Sequence, residues 1–273
     1  MGAKLVQENK LIRSLVESTK QGSNASFKQL YQMNVGRIFA LNLRLLADYK
    51  LAEDLTKEVF ITTWERISQM RDDITFAAWL KGLTISSALD KVRKNDGLKN
   101  LETSGKKHDK IPRRFESTVS LFDRDIISLP NRERIVFTLH EIEKYSDEET
   151  ADLLLANTEI ITESLTLARQ LLESSTNNVI SNKTFQEKMD AIVLEINPQN
   201  DLWSGIFNEV NKMKMKTQEE IKDTETFQEE GEDSKSEVIL NKKSKHYFGE
   251  IDEKKSDGSK KGKLSDYFKR FKK

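Results

Sequence analysis

The side chains that ordinarily carry catalysis stand too far apart in this chain to cooperate. There is no cysteine, which excludes thiol chemistry and a disulfide framework and points to a reducing compartment. His108, His140 and His246 have no ligand partners at metal spacing, so no metal site is expected. No phosphate loop and no nucleophile with its base can be found, so the chain reads as a non-enzyme without a cofactor. What remains is charge and hydrogen bonding displayed on helices. "AEDLTKEVFITTW" sets Glu53, Asp54 and Glu58 beside an apolar stripe of Leu55, Val59, Phe60, Trp64 and Ile67. "FAAWLKGLTISSALDKVRK" carries Lys81, Lys91, Arg93 and Lys94, cations that suit phosphates. "TEIITESLTLARQLL" reads like the second helix of a helix-turn-helix. It offers Thr162, Glu163 and Ser164 where positive charge belongs, and its first cation is Arg169.

The elements that must position these residues differ sharply in charge. The chain has 45 basic and 45 acidic side chains in 273 residues, but they are sorted by segment. Residues 1–90 hold 12 cations and 10 anions, 91–114 hold 9 and 3, and 121–175 hold 5 and 12, a net of +2, +6 and −7. Such sorting decides where a polyanion can approach. No run reaches the ~18 apolar residues of a membrane span, and Lys4, Glu8 and Lys10 interrupt any secretory signal, so a cytoplasmic protein is expected.

Helical punctuation runs through the chain, with no alternating strand pattern. "KLIRSLVESTK" stops at Gly22, and Asn24 is the expected cap of the next helix. "LAEDLTKEVFITTWERI" follows, then a helix capped by Thr75 that ends near Asn95 and Gly97. Pro130 suits the first turn of "NRERIVFTLHEIEK", and "SDEE" makes a capping box of Ser146 and Glu149. A short helix to about Leu154, the turn "LANT" and a helix from Glu159 complete the helix-turn-helix. The fold class is all-α: two small helical domains, 1–95 and 117–176, joined by a flexible basic linker at 96–116. A largely disordered extension occupies 177–273. Within it "FQEKMDAIVLEI" and "NDLWSGIFNEVNKMK" are amphipathic, while 217–237, with nine acids against two lysines, is expected to be disordered. Trp64 and Trp79, on helical stripes, are read as core.

The stretch from "FKQLYQMNVGRIFALNLRLLADYKLAEDLTKEVFITTWERI" through "FAAWLKGLTISSALDKVRK" resembles domain two of bacterial extracytoplasmic-function sigma factors, with its AED, EVF and Trp in register. "LPNRERIVFTLHEIEKYSDEETADLL" looks like the start of that family's domain four. The resemblance covers roughly residues 10–175. It implies a protein that binds core RNA polymerase and opens promoter DNA. Glu53, Asp54, Glu58 and Phe60 would lie in the polymerase-contact motif. Ser68, Gln69, Met70 and Arg71 would lie in the loop that captures a flipped base of the melted strand, where an unstacked base needs hydrogen bonds and a stacking surface. Lys81, Lys91, Arg93 and Lys94 would meet the melted strand's phosphates.

The chain also departs from that family. Ile85 and Ser86 replace a cation and an amide in the segment after "WL". The recognition helix, usually close to Thr-Val-Lys-Ser-Arg-Leu and then Arg-Ala-Arg, here has Ile160, Ile161, Thr162, Glu163, Ser164 and Leu165, then Leu167, Ala168 and Arg169. Leu155 stands where a turn glycine is common. Specific duplex readers neutralise roughly 6–10 phosphates. Thr162, Ser164 and Arg169 are the remaining candidates for duplex contact, and the expectation is a helix-turn-helix that keeps its fold and has largely lost duplex reading. Two function classes remain open. One is a sigma-like initiation protein working mainly through its first domain. The other is a sigma-derived interaction protein that occupies polymerase or a partner without initiating. "NPQNDLWSGIFNEV" resembles a segment of anti-sigma proteins, which adds an anti-sigma-type regulator to the expected partners. The terminal "KLSDYFKRFKK" suits an anionic membrane surface, a nucleic acid or the acidic 217–237 block equally.

Overall fold

The computed structural model describes residues 2–94, 119–177, 184–190, 192 and 194–229, and every regular element among them is a helix. The linker expected at 96–116, His108, His246 and the terminal basic segment lie outside the described residues. The chain divides into two units, Met1–Val210 and Asn211–Lys273.

In the first unit, α1 (Gly2–Lys20) ends where Gly22 takes a φ of 86°, a left-handed geometry that glycine adopts without steric cost. The cap of α2 (Asn24–Leu46) is Ser23 rather than the expected Asn24. Ser23 has the extended backbone of a cap, and its Oγ accepts from the Ser26 N–H at 3.2 Å. Asp48 caps α3 (Tyr49–Arg66) by accepting from the Leu51 N–H at 2.7 Å. A 3-10 turn at Ile67–Gln69 leads to Thr75, whose hydroxyl accepts from the Ala78 N–H at 3.3 Å and opens α4 (Phe76–Lys94).

Helix α2 is the axis of this unit. All ten residues from Ile38 to Ala47 are buried, because α1, α3 and α4 pack against it while α5 and α6 also contact it. A helix enclosed in this way has no polar stripe. Phe27, Phe39, Leu41, Leu55, Val59, Phe60, Leu80 and Ile85 fill the surrounding core, each contributing about 1.5–3 kcal/mol by leaving water. Asn42 is buried among them and donates to Thr56 Oγ1 at 3.1 Å.

In the second half, α5 (Leu121–Ser128) begins at Ser120, and α6 (Asn131–Phe137) follows Pro130, which occupies its N-cap. The single helix expected to reach Lys144 instead changes to a π-helical segment at Thr138–Ile142, where the Glu143 N–H donates five residues back to the Thr138 carbonyl at 3.0 Å. Both arms of the predicted capping box are present before α7 (Asp147–Leu154): Ser146 Oγ accepts from the Glu149 N–H at 3.2 Å, and Glu149 accepts from the Ser146 N–H at 2.9 Å. Leu155 turns the chain at a φ of 55°. Asn157 then accepts from the Ile160 N–H at 2.9 Å as α8 (Thr158–Asn177) starts, one residue earlier than expected.

Two arginines join the halves. Arg44 on α2 and Asp123 on α5 form an ion pair at 2.8 Å with both side chains 1% exposed. The buried Arg134 on α6 donates to the carbonyls of Arg44 at 3.0 Å and Leu45 at 3.3 Å. Those carbonyls belong to the last turn of α2, which has no helical partner for them, so Arg134 completes that helix end.

Helix α9 (Phe185–Asp190) is shorter than "FQEKMDAIVLEI" suggested. Helix α10 (Trp203–Glu229) is longer than the short helix expected and runs into the stretch 217–237 expected to be disordered. Glu and Gln, both of which favour helix, make up six of the thirteen residues 217–229.

Candidate functional site

Three carboxylates of α3, Glu53, Asp54 and Glu58, meet different environments. Glu58 is exposed and accepts from Lys91 of α4 at 2.7 Å. Asp54, one turn earlier, accepts from Lys50 at 2.9 Å and lies 4.0 Å from Lys57. Glu53 is only 3% exposed, and Phe60 is fully buried, edge-on to Tyr31 with ring centroids 4.9 Å apart. Phe60 therefore belongs to the packing stripe with Leu55 and Val59 rather than to an outward contact surface. Trp64 and Trp79 are half-buried at the margin, short of the full core burial expected. Trp64 rests on Phe27 at 5.2 Å, and Trp79 rests on Phe76 at 6.2 Å.

Glu53 is covered by residues 194–210, which lie as a strap across α2 and α3. The Asn200 side-chain amide donates to both oxygens of Glu53 at 2.8 Å. One residue before it, the Gln199 N–H donates to the Tyr49 hydroxyl at 3.0 Å. The Ile196 N–H donates to the Gly36 carbonyl at 3.0 Å, and the Ile196 side chain is buried with Phe39, Ala40, Leu43, Tyr49 and Ala52. Trp203, at the start of α10, packs tilted against Tyr31 at 5.2 Å and Phe27 at 5.8 Å, with Lys28 over its ring at 5.9 Å. Leu202, Ile206 and Val210 are buried beyond it. Burial, with the Asp201 carboxylate of the same strap, pushes the Tyr31 phenol up to about 12.

The strap was the feature least visible in the sequence. "NPQNDLWSGIFNEV" signalled an amphipathic segment, and Trp203 is one of only three tryptophans. Nothing in the pattern, however, paired Asn200 with Glu53 across a separation of 147 residues. Gly36 gave no signal either. A Cβ built there would meet Asn197 Oδ1 at 2.7 Å and Glu195 Cβ at 3.3 Å, so an alanine would make the Asn197 side chain turn away and Glu195 give by a few tenths of an ångström.

The residues expected at melted DNA are divided between open surface and internal pairs. Ser68, Gln69 and Arg71 are exposed, Met70 is half-buried, and Arg71 pairs with Asp73 at 2.5 Å. Lys94 is exposed at the end of α4. Lys91 holds Glu58, Lys81 holds Glu143 at 3.3 Å, and Arg93 donates to the Leu153 carbonyl at 2.8 Å while pairing with Asp90 at 3.1 Å. Lys81 and Arg93 are thus both engaged by the second half of the unit.

On α8 the three duplex candidates separate. Thr162 is exposed, with its hydroxyl donating to the Thr158 carbonyl at 3.0 Å. Ser164 is fully buried and donates to the Ile160 carbonyl at 2.7 Å, so it cannot present a base contact in this arrangement. It shares an inward face with Ile161, Leu165 and Ala168. Arg169 pairs with Glu141. Among the described residues no helix is long and apolar enough to cross a membrane, and no group of three or more ligating side chains could hold a metal ion.

Helices α2, α3 and α4 thus form a central buried helix crossed by an acidic and aromatic helix, followed by a turn and a basic-ended helix. Residues 30–97 match the sigma-70 region 2 family. That match spans 68 of the chain's 273 residues, so over this part the chain is similar to sigma factors. It is similar to the ECF RNA polymerase sigma factor SigW of Bacillus subtilis (strain 168), at 23% identity over 159 residues, which is 53% of this chain and 85% of that protein. Among solved structures it is similar to CnrH in complex with the cytosolic domain of CnrY, at 17% identity and a TM-score of 0.41, covering 61% of this chain and 97% of that one. It is also similar to the sigma factor RpoE in complex with the anti-sigma factor NepR from Bartonella quintana, at 18% identity and a TM-score of 0.39, covering 56% of this chain and 97% of that one.

Proposed function

We propose that this chain is a non-catalytic initiation factor that docks on core RNA polymerase and holds melted promoter DNA, acting in the cytoplasm. The exposed Glu58 and half-buried Asp54 form the open part of the polymerase contact, with Glu53 joining them when uncovered. Phe60 supports the contact from beneath by fixing the rotation of α3. Ser68 to Arg71 receive an unstacked base, and Lys81, Lys91, Arg93 and Lys94 meet phosphates of the melted strand. Residues 1–95 and 117–176 act as separate functional regions joined by the basic stretch at 96–116. The second region adds little duplex affinity, because its net charge is −7 and α8 has a single cation along Thr158–Leu172. An anti-sigma-type regulator is a further partner for the α2–α3 face.

The observation that carries this reading is the sigma-70 region 2 match at 30–97, which spans α2, α3 and α4 with all the proposed contact residues of the first region. The test is transcription in vitro with purified core enzyme and micromolar full chain on a promoter library. Transcripts from a defined subset of promoters are expected. Core binding without transcripts would favour an interaction protein that occupies polymerase. Absence of core binding would overturn the docking role.

A further inference from the structure

The strap and the proposed polymerase contact use one face. Glu53 lies between the half-buried Asp54 and Tyr49 on the first turns of α3, yet both of its oxygens are taken by Asn200. The neighbouring seats are also filled by the same segment: Ile196 in the cluster with Tyr49 and Ala52, and Trp203 against Tyr31 and Phe27. A macromolecule cannot reach Glu53 without displacing Asn200.

We propose that residues 194–210 are a built-in competitor that locks the α2–α3 face against core RNA polymerase, an inference that rests on the docking role assigned to that face. The chemistry fits reversible closure. The seat consists of one carboxylate held by a neutral amide, two single backbone hydrogen bonds, an indole tilted against two rings, and the buried Ile196, Leu202, Ile206 and Val210. No charge is buried without a partner when the strap leaves, because the freed Glu53 becomes exposed to solvent. A segment tethered to its own target acts at an effective concentration on the order of millimolar, so modest contacts suffice to hold it closed. The apparent affinity of any competitor for the face then falls in proportion to the open fraction.

Two variants release the strap from opposite sides. Asn200→Ala with Trp203→Ala removes its anchors and leaves α2 and α3 untouched. Gly36→Ala inserts a methyl group at the point where Asn197 and Glu195 approach α2, in a helix that tolerates alanine. Binding of each full-length protein to immobilised core enzyme is measured beside wild type and an Asp54→Lys, Glu58→Lys variant, with circular dichroism reporting retained helicity. Binding at least tenfold tighter in either release variant is expected. Equal or weaker binding in both, while Asp54→Lys with Glu58→Lys still weakens it, overturns the lock and leaves the docking face standing. No binding by any of the proteins overturns the docking role and the lock with it.

Discussion

At the scale of single residues, the backbone at Leu155 is the clearest strain. A branched side chain held at a φ of 55° pays a left-handed penalty of about 1–2 kcal/mol, and Leu155 is 78% exposed, so it returns little by packing. Leu155→Gly is therefore expected to stabilise the chain by about 0.5–1 kcal/mol, the gain being reduced by the extra freedom of glycine when unfolded. Urea denaturation checks it, with an unchanged or lower midpoint as the contrary result. This position was flagged only by the resemblance, where a turn glycine is common, whereas the Ser146–Glu149 box was legible because helix ends obey local rules. Arg44 and Arg134 were not. Each is a cation in a helical pattern that normally places it in water, and only the distant partners Asp123 and the α2 carbonyls make its burial tolerable. Ser164 was misplaced for a related reason: its hydroxyl satisfies itself on the Ile160 carbonyl, so the polar label concealed an inward position.

At the scale of elements, the helices and their order could be read from spacing and caps, but the surroundings of α2 could not. A helix with ten consecutive buried residues carries no face to read, and its neighbours are chosen by the whole fold. The joint between α2 and α5 depends on the Arg44–Asp123 pair. Asp123→Ala leaves a buried guanidinium without its counter-charge, and a loss of about 3–5 kcal/mol is expected in chemical denaturation. A loss below 1 kcal/mol would mean that water enters the joint. The expectation for α8 is also an element-level one. With Arg169 as its cation and Ser164 turned inward, binding of the full chain to promoter-like duplex through this helix should show a salt slope near one phosphate, about −0.9 in log–log units. Fluorescence anisotropy over a salt series measures it, and a slope of several units with sequence selectivity would restore a duplex-reading role to α8.

At the scale of the whole first unit, the internal pairs draw on the same charges that the proposed function needs. Lys81 is held by Glu143, Arg93 by the Leu153 carbonyl, Lys91 by Glu58, and Glu53 by Asn200. Lys81 and Arg93 are held by the second half, which is fastened to α2 through Arg44, Asp123 and Arg134. Loosening that joint should therefore free cations without altering α4 itself. Asp123→Ala, at a temperature where it remains folded, is expected to bind single-stranded promoter oligonucleotide severalfold more tightly than wild type. Its salt slope should steepen by about 1.4, the contribution of two added phosphate contacts on a single strand. If affinity rises without a steeper slope, the gain comes from exposed stacking surface rather than from Lys81 and Arg93. If neither changes, these two side chains lie off the path of the strand, and the exposed Lys94 and the Ser68–Arg71 turn are left as its contacts.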